Sequence, residues 1–433
     1  MKTVREAVLI ALNNMEFSEA YSNLTLDQTL DLGTFSQQDR AFATVLFYGV
    51  LERRLTLDTF VKRYSKIPMR KLSGDILNIL RMGLYQLVWM DSVPDSAAVN
   101  ESVRLVYAVK KVSAKGFVNA VLRGFVRDGK QIPLPKEKIA RYEVEYSCPA
   151  WLVRKWIDEY SEDIAVELLK ASVSTPPLYL RVNPLKTTPE ELADLLTRRR
   201  RGTEVVKEID NCLSVQGIGS IRHLPEYKKG MFHVQDLASQ TLCKLLDPKP
   251  GERVFDLCAA PGGKSFTLAQ RMEGKGELLA FDLYENRVEL IRQGAERLGL
   301  CCITAQQGDA SVFRPELGLA DKVLCDVVCS GLGIIRRKPE IKYKDPADMK
   351  ALPDLQYRIL DTGANYVRPG GMLMYSTCTL SREENEQVSK RFLQEHPAFV
   401  PCALPGYDSF EHTFFSMECG SDGFYLAMFQ RKE

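Results

Sequence analysis

Just past the middle of the 433-residue chain runs the segment Arg253-Val254-Phe255-Asp256-Leu257-Cys258-Ala259-Ala260-Pro261-Gly262-Gly263-Lys264-Ser265. Its apolar part, Val254 to Leu257, predicts a short buried strand, and the apolar pattern from about Ser265 onward predicts a helix. Between them lies a turn of small residues, where glycines let a ligand approach the backbone closely. A strand, a tight turn and a helix start in this order are typical of the nucleotide-binding edge of an open α/β sheet.

The spacing and charge of this turn limit its ligand. A phosphate loop needs G-x-x-x-x-G-K-[ST], and Gly263-Lys264-Ser265 fits its end, but Cys258 stands where the first glycine is required. G-x-G-x-x-G is absent, and Lys264 is the turn's one charged residue, so the turn suits a nucleoside better than a triphosphate. A plain structural turn is the alternative. We predict ligand contacts from the seven turn residues, Cys258, Ala259, Ala260, Pro261, Gly262, Gly263 and Lys264.

Three predicted strands downstream lead to acidic residues. Strand 276–282 ends at Asp282, strand 302–305 leads to Asp309, and strand 322–326 ends at Asp326. An acid about 20 residues past the turn can accept hydrogen bonds from both ribose hydroxyls, and Asp309 could accept one from the exocyclic amine of adenine. Three acids at successive strand ends, without a phosphate loop, suit S-adenosylmethionine. An ordinary solvated loop acid is the alternative for each one alone.

Three short motifs occur in the order found in a known enzyme family. They are Leu257-Cys258-Ala259-Ala260-Pro261-Gly262-Gly263-Lys264, Asp326-Val327-Val328-Cys329-Ser330-Gly331 and Tyr375-Ser376-Thr377-Cys378-Thr379, the last followed by an acidic cluster at 383–386 that predicts a helix start. They resemble the first motif, the D-A-P-C-S-G motif and the S-T-C-T motif of the RNA 5-methylcytosine methyltransferases. The resemblance implies that Cys378 attacks cytosine C6, that Cys329 assists product release as base or proton relay, and that Asp326 binds the base.

The chemistry explains why such an enzyme needs two cysteines. Cytosine C5 is a poor nucleophile, and addition of a thiolate to C6 makes C5 enamine-like. A free cysteine is mostly thiol at neutral pH, so nearby positive charge must lower its pKa, and Lys264 is the candidate source. The family has proline where this chain has Val328. Because proline fixes φ and stiffens the approach to the cysteine, we expect catalysis to survive here with slower product release.

The N-terminal third reads as helical and basic. Residues 76–88 are apolar nearly all round, which predicts a central buried helix. Residues 1–140 carry 20 Lys and Arg against 14 Asp and Glu, and the remainder carries 38 against 42, which favours RNA contact in this part. The segments Ala20–Asn23, Asp39–Ala43, and Val99–Glu101 through Phe117–Arg123 resemble the NusB-like RNA-binding domain that precedes the catalytic domain in the RsmB (Sun) family of ribosomal RNA methyltransferases. That resemblance implies 16S ribosomal RNA, free or in a small-subunit assembly particle, as the partner. A helical bundle that serves only as a structural appendage is the alternative.

These features predict a multidomain fold in three parts. We expect a NusB-like all-α domain over residues 1–140, a small α+β connector over 141–232 and a Rossmann-like α/β methyltransferase domain over 233–433. Residues 423–429 predict a closing antiparallel edge strand. The run Arg198–Arg201 is interpreted as a solvated helix face, with an RNA phosphate contact as the alternative. The basic segment 334–340, beside the second motif, could hold the RNA backbone near the target base.

Composition excludes several other classes of protein. The N-terminus is charged and lacks an apolar secretory core, and no apolar run approaches membrane-spanning length, so we expect a cytoplasmic location, no membrane partner and a monomer. Eleven cysteines form no C-x-x-C pair, which favours free thiols over disulfides. With four histidines and no ligand spacing, we expect no metal site.

Two other functions stay open at this point. The same chemistry on transfer RNA is possible, although the NusB-like extension argues against it. A catalytically silent RNA-binding assembly factor is the alternative from another class, which retention of Cys329, Cys378 and Asp326 disfavours. Methylation of the amino group is disfavoured because Cys329 stands where those enzymes present an aromatic side chain.

Overall fold

The computed structural model describes residues 3–17, 22–131, 134–198, 202–219 and 221–433. The chain forms two compact units, one of residues 1–175 with 335–344 and one of residues 176–334 with 345–433. The boundaries predicted after residues 140 and 232 stay predictions. Across the described ranges, no helix combines the length and the apolar character that crossing a membrane requires.

The first unit is all-α over its described residues. Its helices are α1 (Val4–Phe17), α2 (Ser22–Asp31), α3 (Gln37–Glu52), α4 (Arg54–Tyr64), α5 (Gly74–Trp89), α6 (Asp95–Ala108), α7 (Lys115–Arg127), α8 (Lys138–Glu145), α9 (Ala150–Glu159) and α10 (Glu162–Ala171). The predicted central helix is α5, where Ile79, Leu80 and Leu84 are completely buried. Arg81 in this core donates to both carboxylate oxygens of Asp58 at 2.7 and 2.9 Å, so its buried charge is paired.

A segment from the second half of the chain belongs to this unit. Residues 335–344 contain a 3-10 turn, Pro339–Tyr343, that packs on α3. Lys342 is completely buried and donates to the main-chain oxygen that ends α3 at 2.9 Å, and the Tyr343 hydroxyl donates to the preceding oxygen at 3.0 Å. Burial lowers the pKa of Lys342 to about 8. The basic run at 334–340 overlaps this packed segment, and its contact with RNA stays a prediction.

The second unit begins with a small antiparallel sheet. Its elements are β1 (Leu178–Val182), α11 (Pro189–Thr197), β2 (Gly202–Val205), β3 (Cys212–Gln216), α12 (Pro225–Lys228) and β4 (Phe232–Val234), in the strand order β2-β3-β1-β4. Strand β1 alternates in sequence between apolar and polar residues, and its Leu180 and Val182 are completely buried. Residues 199–201 of the arginine run lie outside the described residues, so both interpretations of this run stay predictions.

A large mixed sheet follows. Its elements are α13 (Leu237–Leu246), β5 (Arg253–Asp256), α14 (Gly263–Arg271), β6 (Glu277–Asp282), α15 (Glu285–Leu298), β7 (Ile303–Gln307), β8 (Ala320–Asp326), α16 (Leu352–Tyr366), β9 (Val367–Thr377), α17 (Glu386–Glu395), β10 (Phe399–Pro401), β11 (Glu411–Phe414), α18 (Ser416–Cys419) and β12 (Phe424–Arg431). The strand order is β10-β12-β9-β8-β5-β6-β7, and β11 also pairs with β12. Alternate residues of each strand face opposite layers: Val254 packs with α13, α14 and α15, and Phe255 packs with α16 and α17.

The last strand corrects one expectation. β12 is antiparallel to β9, as predicted, but it is not an edge strand, because β10 and β11 both pair with its other side. The short strand Phe399–Pro401 carries too little pattern to be predicted from sequence. The predicted order of an all-α part, a small α+β part and an α/β part is confirmed.

Candidate active site

The carboxyl ends of five parallel strands meet at one edge of the large sheet. β9, β8, β5, β6 and β7 are neighbours in this order and run parallel. Asp282 is the last residue of β6 and Asp326 the last of β8, as predicted, and Asp309 follows β7 by two residues. Asp256 ends β5 in the same way. Ligands of open α/β sheets bind outside this edge, so the predicted acids all lie where a ligand would bind.

Main-chain contacts fix the turn between β5 and α14. The N–H of Ala259 donates to the carbonyl oxygen of Phe281 on the neighbouring β6 at 2.7 Å. Gly262 has a φ of +106°, and a Cβ on it would lie 2.3 Å from Cζ of Phe266, so this position requires glycine. Helix α14 begins directly after it, at Gly263. The turn is therefore a rigid ledge of small residues at the sheet edge.

Asp282 ties the end of β6 to this turn. Its buried carboxylate accepts hydrogen bonds from the N–H groups of Ala260 and Tyr284, both at 3.3 Å, and lies 3.5 Å from the guanidinium of Arg287. Leu283 and Tyr284 beside it are 48% and 56% exposed. The end of β6 thus offers an acidic group next to an exposed apolar surface.

Asp309 is exposed and held by its own turn. The hydroxyl and the N–H of Ser311 donate to its Oδ1 at 2.7 and 2.9 Å, and these bonds lower its pKa. The carboxylate is therefore ionised at neutral pH. Its contact with an adenine amine stays a prediction.

The donor set at this edge fits S-adenosylmethionine. Asp282 and Asp309 provide carboxylates, Leu283 and Tyr284 provide apolar surface, and the ledge at Gly262 lets a ligand approach the backbone. The one cation of the turn is already paired with a carboxylate, so the turn offers no positive cradle for a triphosphate. Acidic groups around an apolar surface suit a nucleoside that carries a sulfonium.

Lys264 and Asp326 form an ion pair between the turn and β8. Nζ of Lys264 lies 2.6 Å from Oδ2 of Asp326, and the Ser376 hydroxyl donates to Oδ1 at 2.8 Å. Burial alone would lower the pKa of Lys264, but the attraction of Asp326 and its hydrogen bond outweigh burial and raise it, with a smaller contribution from Cys378. Lys264 therefore stays charged, and its charge acts on both Asp326 and Cys378.

The structure brings the two motif cysteines into contact. Sγ of Cys329, in the loop after β8, lies 3.2 Å from Sγ of Cys378, in the loop after β9, and both residues are half-buried. The hydrogen bond to Cys378, together with burial, raises the pKa of the Cys329 thiol well above its usual range. Cys329 is therefore a thiol in the resting site and can donate its proton to the sulfur of Cys378.

A pair of glycines holds the two cysteine loops together. The N–H of Gly333 donates to the carbonyl oxygen of Cys378 at 3.0 Å, and the N–H of Gly423 donates to the carbonyl oxygen of Gly333 at 2.8 Å. A Cβ on Gly333 would lie 2.0 Å from the carbonyl oxygen of Gly423. The two backbone segments therefore touch where they cross, at Gly333 and Gly423, and leave no room for a side chain between them.

Sequence reasoning missed four polar residues next to these loops. Asp256, Gln356, Glu384 and Asn385 are each at most 3% exposed. Glu384 and Asn385 belong to the acidic cluster interpreted as a helix start, and α17 does begin at Glu386. Asp256 ends a strand like the predicted acids, so the same signal could have found it. Gln356, inside α16, carries no such signal.

Asp256 makes stability depend on pH. The Ser265 hydroxyl donates to its completely buried carboxyl at 2.6 Å, and burial raises its pKa to about 7. The pKa of Asp256 in the folded protein exceeds its unfolded value of about 3.9. The contribution of this carboxyl to the free energy of unfolding is therefore intact below about pH 4 and is lost as pH rises to 7. We expect Asp256→Asn to add roughly 2–3 kcal/mol more to the free energy of unfolding at pH 8 than at pH 5.

Urea denaturation of both proteins at the two pH values measures this difference. Asp321→Asn is the control, because the N–H of Arg253 and the Arg368 side chain outweigh burial at Asp321 and lower its pKa. Its effect on stability should therefore have the opposite sign at pH 8. An equal gain from Asp256→Asn at both pH values would contradict a raised pKa at Asp256.

Comparisons with known families match all three predicted parts. Residues 243–430 match the family described as 16S rRNA methyltransferase RsmB/F, residues 2–127 match the NusB family, and residues 148–222 match the ferredoxin-like domain of RsmF/B-like methyltransferases. The predicted NusB-like and methyltransferase domains are thereby confirmed.

Individual proteins and solved structures agree with these matches. The chain is 37% identical over 409 residues to a probable ribosomal RNA small subunit methyltransferase B of Bacillus subtilis, which covers 92% of this chain and 90% of the relative. The crystal structure of PH0851 has a TM-score of 0.86 at 24% identity, covering 99% and 98% of the two chains. That of NSun6 from Pyrococcus horikoshii, solved with SFG, has a TM-score of 0.61 at 21% identity, covering 66% and 98%. These two structures show the same fold.

Proposed function

Because the chain belongs to the 16S rRNA methyltransferase RsmB/F family, a family of S-adenosylmethionine-dependent ribosomal RNA methyltransferases, we propose that it methylates C5 of a cytosine in 16S ribosomal RNA. One observation carries the proposal: the sulfur atoms of Cys329 and Cys378 lie 3.2 Å apart at the ligand-binding edge of the sheet. Methylation at C5 needs one thiol to attack the base and a second group to take the C5 proton, and a contacting pair of thiols can do both.

We assign the attack to Cys378 and the release to Cys329. Sγ of Cys378 bonds to C6 of the cytosine, and the electrons of the C5–C6 double bond move onto C5. Bound S-adenosylmethionine would supply a methyl group on a sulfonium sulfur; C5 accepts it as the S–CH3 bond breaks, and the donor leaves as the neutral thioether S-adenosylhomocysteine. Once the sulfur of Cys378 is bonded to carbon, it no longer raises the pKa of Cys329, so Cys329 can give its proton to solvent. As a thiolate it then takes the C5 proton, the C5–C6 double bond reforms, and the C6–S bond breaks to return the Cys378 thiolate.

Asp326 and Lys264 supply the electrostatics of this sequence. The Asp326 carboxylate would bind N3 and the amino group of the base, and a negative group there favours the protonated adduct that forms when the thiolate adds to C6. Lys264 holds this carboxylate at 2.6 Å. Its ammonium also attracts the charge on Cys378, which favours the thiolate needed for attack.

The methyl donor would lie along the strand edge already described. The ledge from Cys258 to Lys264 would contact its amino acid part, Asp282 its ribose hydroxyls and Asp309 its adenine amine. Asp326 would lie at the border between donor and base. Each of these contacts follows from the position of a strand end.

The N-terminal domain bears on the RNA partner, and the free thiols bear on the cellular compartment. We propose that residues 1–140 bind 16S ribosomal RNA, free or in an assembling particle, through their basic excess, that residues 141–232 connect them to a catalytic domain over 233–433, and that the protein acts as a monomer. None of the described cysteines forms a disulfide, which suits the reducing cytoplasm.

Release of tritium from C5 tests both the atom and the RNA. Unmodified 16S ribosomal RNA, a small-subunit particle and transfer RNA would each carry cytidine labelled with tritium at C5. We expect the enzyme to release one tritium to water for every methyl group transferred to 16S RNA, because C5 loses its hydrogen when it is methylated. A reaction without methyl donor corrects for exchange catalysed by thiolate addition alone.

Each other outcome points to a different function. Methyl transfer without tritium release would place the methyl group on another atom of the base. Release from transfer RNA alone would keep the chemistry and overturn the substrate. RNA binding with no methyl transfer to RNA or particle would indicate a silent assembly factor.

A further inference from the structure

Two adjacent buried residues lie between the loops that carry the cysteines. Glu384 and Asn385 form the turn that precedes α17, and they are 3% and 0% exposed. Buried polar side chains need hydrogen-bond partners in the folded protein. The partners of Glu384 flank Cys329, and the partners of Asn385 flank Cys378.

The Glu384 carboxylate holds the loop of Cys329. Its Oε2 accepts from the N–H of Ser330 at 2.9 Å and from Nε2 of Gln356 at 2.8 Å. Nε2 of Gln356 also donates to the carbonyl oxygen of Val328 at 3.0 Å. A carboxylate and a carbonyl only accept, so the amide nitrogen of Gln356 has to face both. The residues before and after Cys329 are therefore fixed by one connected pair of side chains.

The Asn385 amide holds the loop of Cys378 in the same manner. Its Oδ1 accepts from the Thr377 hydroxyl at 2.6 Å, and its Nδ2 donates to the carbonyl oxygen of Thr379 at 3.0 Å. The Thr379 hydroxyl also lies 2.7 Å from that of Ser330. The residues before and after Cys378 are thus fixed as well, and the two loops are joined directly.

Starting a helix does not account for this arrangement. Asn385 occupies the N-cap position of α17, yet its side chain makes no capping hydrogen bond. At α13, by contrast, the N-cap Asp236 accepts from the N–H of Ala238, which is the usual role of such a residue. Both polar groups of the Asn385 amide are bonded to the Cys378 loop instead.

We propose that Glu384 and Asn385 are positioning residues that set the separation of the two thiols, Glu384 acting through Cys329 in product release and Asn385 acting through Cys378 in attack on the base. This proposal rests on the proposed function. Reacting groups have to be held within about 0.5 Å of their productive geometry. Because the two residues are neighbours in the chain, a single turn controls both loops.

The hydrogen bonds by which Glu384, Gln356 and Asn385 hold the two cysteine loops form a clamp. This clamp also bears on Val328, which stands where the family has proline. Val328 is 52% exposed, and its side chain therefore receives little restraint from packing. Its carbonyl oxygen is held by Gln356, which restrains the approach to Cys329 by a hydrogen bond where proline would restrain it through φ. Val328→Pro should consequently speed release more in a protein that lacks the Glu384 carboxylate than in the unmodified protein.

Separate measurement of the two steps tests the proposal. Glu384→Ala should leave the first round of methyl transfer within about threefold and slow release by about tenfold or more, with accumulation of the protein–RNA adduct. Asn385→Ala should slow the first round by about tenfold or more, without accumulating adduct. Glu384→Gln retains an acceptor for both donors and should release product within about threefold of the unmodified rate. Glu383→Ala, at an exposed neighbouring acid, is the matched control.

Further variants keep the test decisive if an alanine variant does not fold. Gln356→Ala removes the second half of the Glu384 clamp and should show the same defect in release. Thr377→Val removes the donor to Asn385 and should show the same defect in attack. A purely structural role would lower both steps together in every variant, and that result would overturn the proposal.

Failure of this proposal can be told apart from failure of the proposed function. If the unmodified protein releases tritium from C5 and Cys329→Ala traps an adduct, the chemistry stands. Unchanged kinetics in folded Glu384→Ala and Asn385→Ala would then reject the clamp alone. Absence of tritium release by the unmodified protein would reject the proposed function itself.

Discussion

Replacement of Cys378 by alanine is expected to lower the rate of methyl transfer to RNA by roughly 10³-fold or more. Without its sulfur the enzyme cannot add to C6, so C5 keeps its low reactivity. Cys329 is no substitute, because burial, which the variant keeps, still raises its pKa, and little of it is thiolate at neutral pH. The remaining contacts would hold the substrates without activating the base.

Single-turnover transfer of a labelled methyl group measures this loss. Binding of S-adenosylmethionine, followed by calorimetry, should stay unchanged, because Cys378 lies outside the residues assigned to the donor. Cys402→Ala, at another half-buried thiol, is the control and should transfer at the unmodified rate. If Cys378→Ala remained active while Cys329→Ala lost the first round of transfer, the roles of the two cysteines would be exchanged.

Replacement of Cys329 by alanine is expected to stop the enzyme after one round, with the protein bonded to RNA. Cys378 still attacks and C5 still accepts the methyl group, but the group that takes the C5 proton is gone. The C6–S bond cannot break until that proton leaves. We expect repeated turnover to fall by about 10²-fold or more, in the range found when general bases are removed.

A band of protein joined to RNA, stable in denaturing gels and dependent on the methyl donor, measures the trapped state. The double variant Cys329→Ala with Cys378→Ala should give no such band, which identifies the bonded sulfur. Normal repeated turnover by Cys329→Ala would show that another base removes the C5 proton. Glu384 would then be a candidate, since its carboxylate accepts from the N–H of Ser330, next to Cys329.

The sequence was sufficient to predict the edge of the sheet and three of the four acids described at it, Asp256 being the one missed. Asp282 and Asp326 each end a buried apolar run that reads as a strand. Because the strands of a parallel sheet have their carboxyl ends at the same edge, both residues are expected there. The contact between Cys329 and Cys378 follows from the same rule, since β8 and β9 are neighbours. The two motifs and the proximity of their cysteines are therefore both predictable from the sequence.

Partners of buried polar groups were beyond prediction. Lys264 was expected to act on the thiolate, and its direct partner is Asp326. Which nearby group pairs with the lysine depends on distances of a few ångströms, and the spacing of residues in the sequence does not give such distances. Glu384 and Asn385 were interpreted through helix-start statistics, which describe local contacts. Their actual partners lie on loops from other strands. Packing of the segment 335–344 with the N-terminal helices also joins distant parts of the chain.

The crossing of Gly333 and Gly423 links the two cysteine loops to a third segment of the chain. Gly423 directly precedes β12, and its N–H bonds to Gly333 in the loop that continues from Cys329. A Cβ at position 333 would meet the carbonyl oxygen of Gly423, so even alanine there would push the Cys329 loop away from the segment that leads into β12. Substitution of this glycine would therefore disturb the separation of the two thiols, although position 333 contributes no atom to the chemistry.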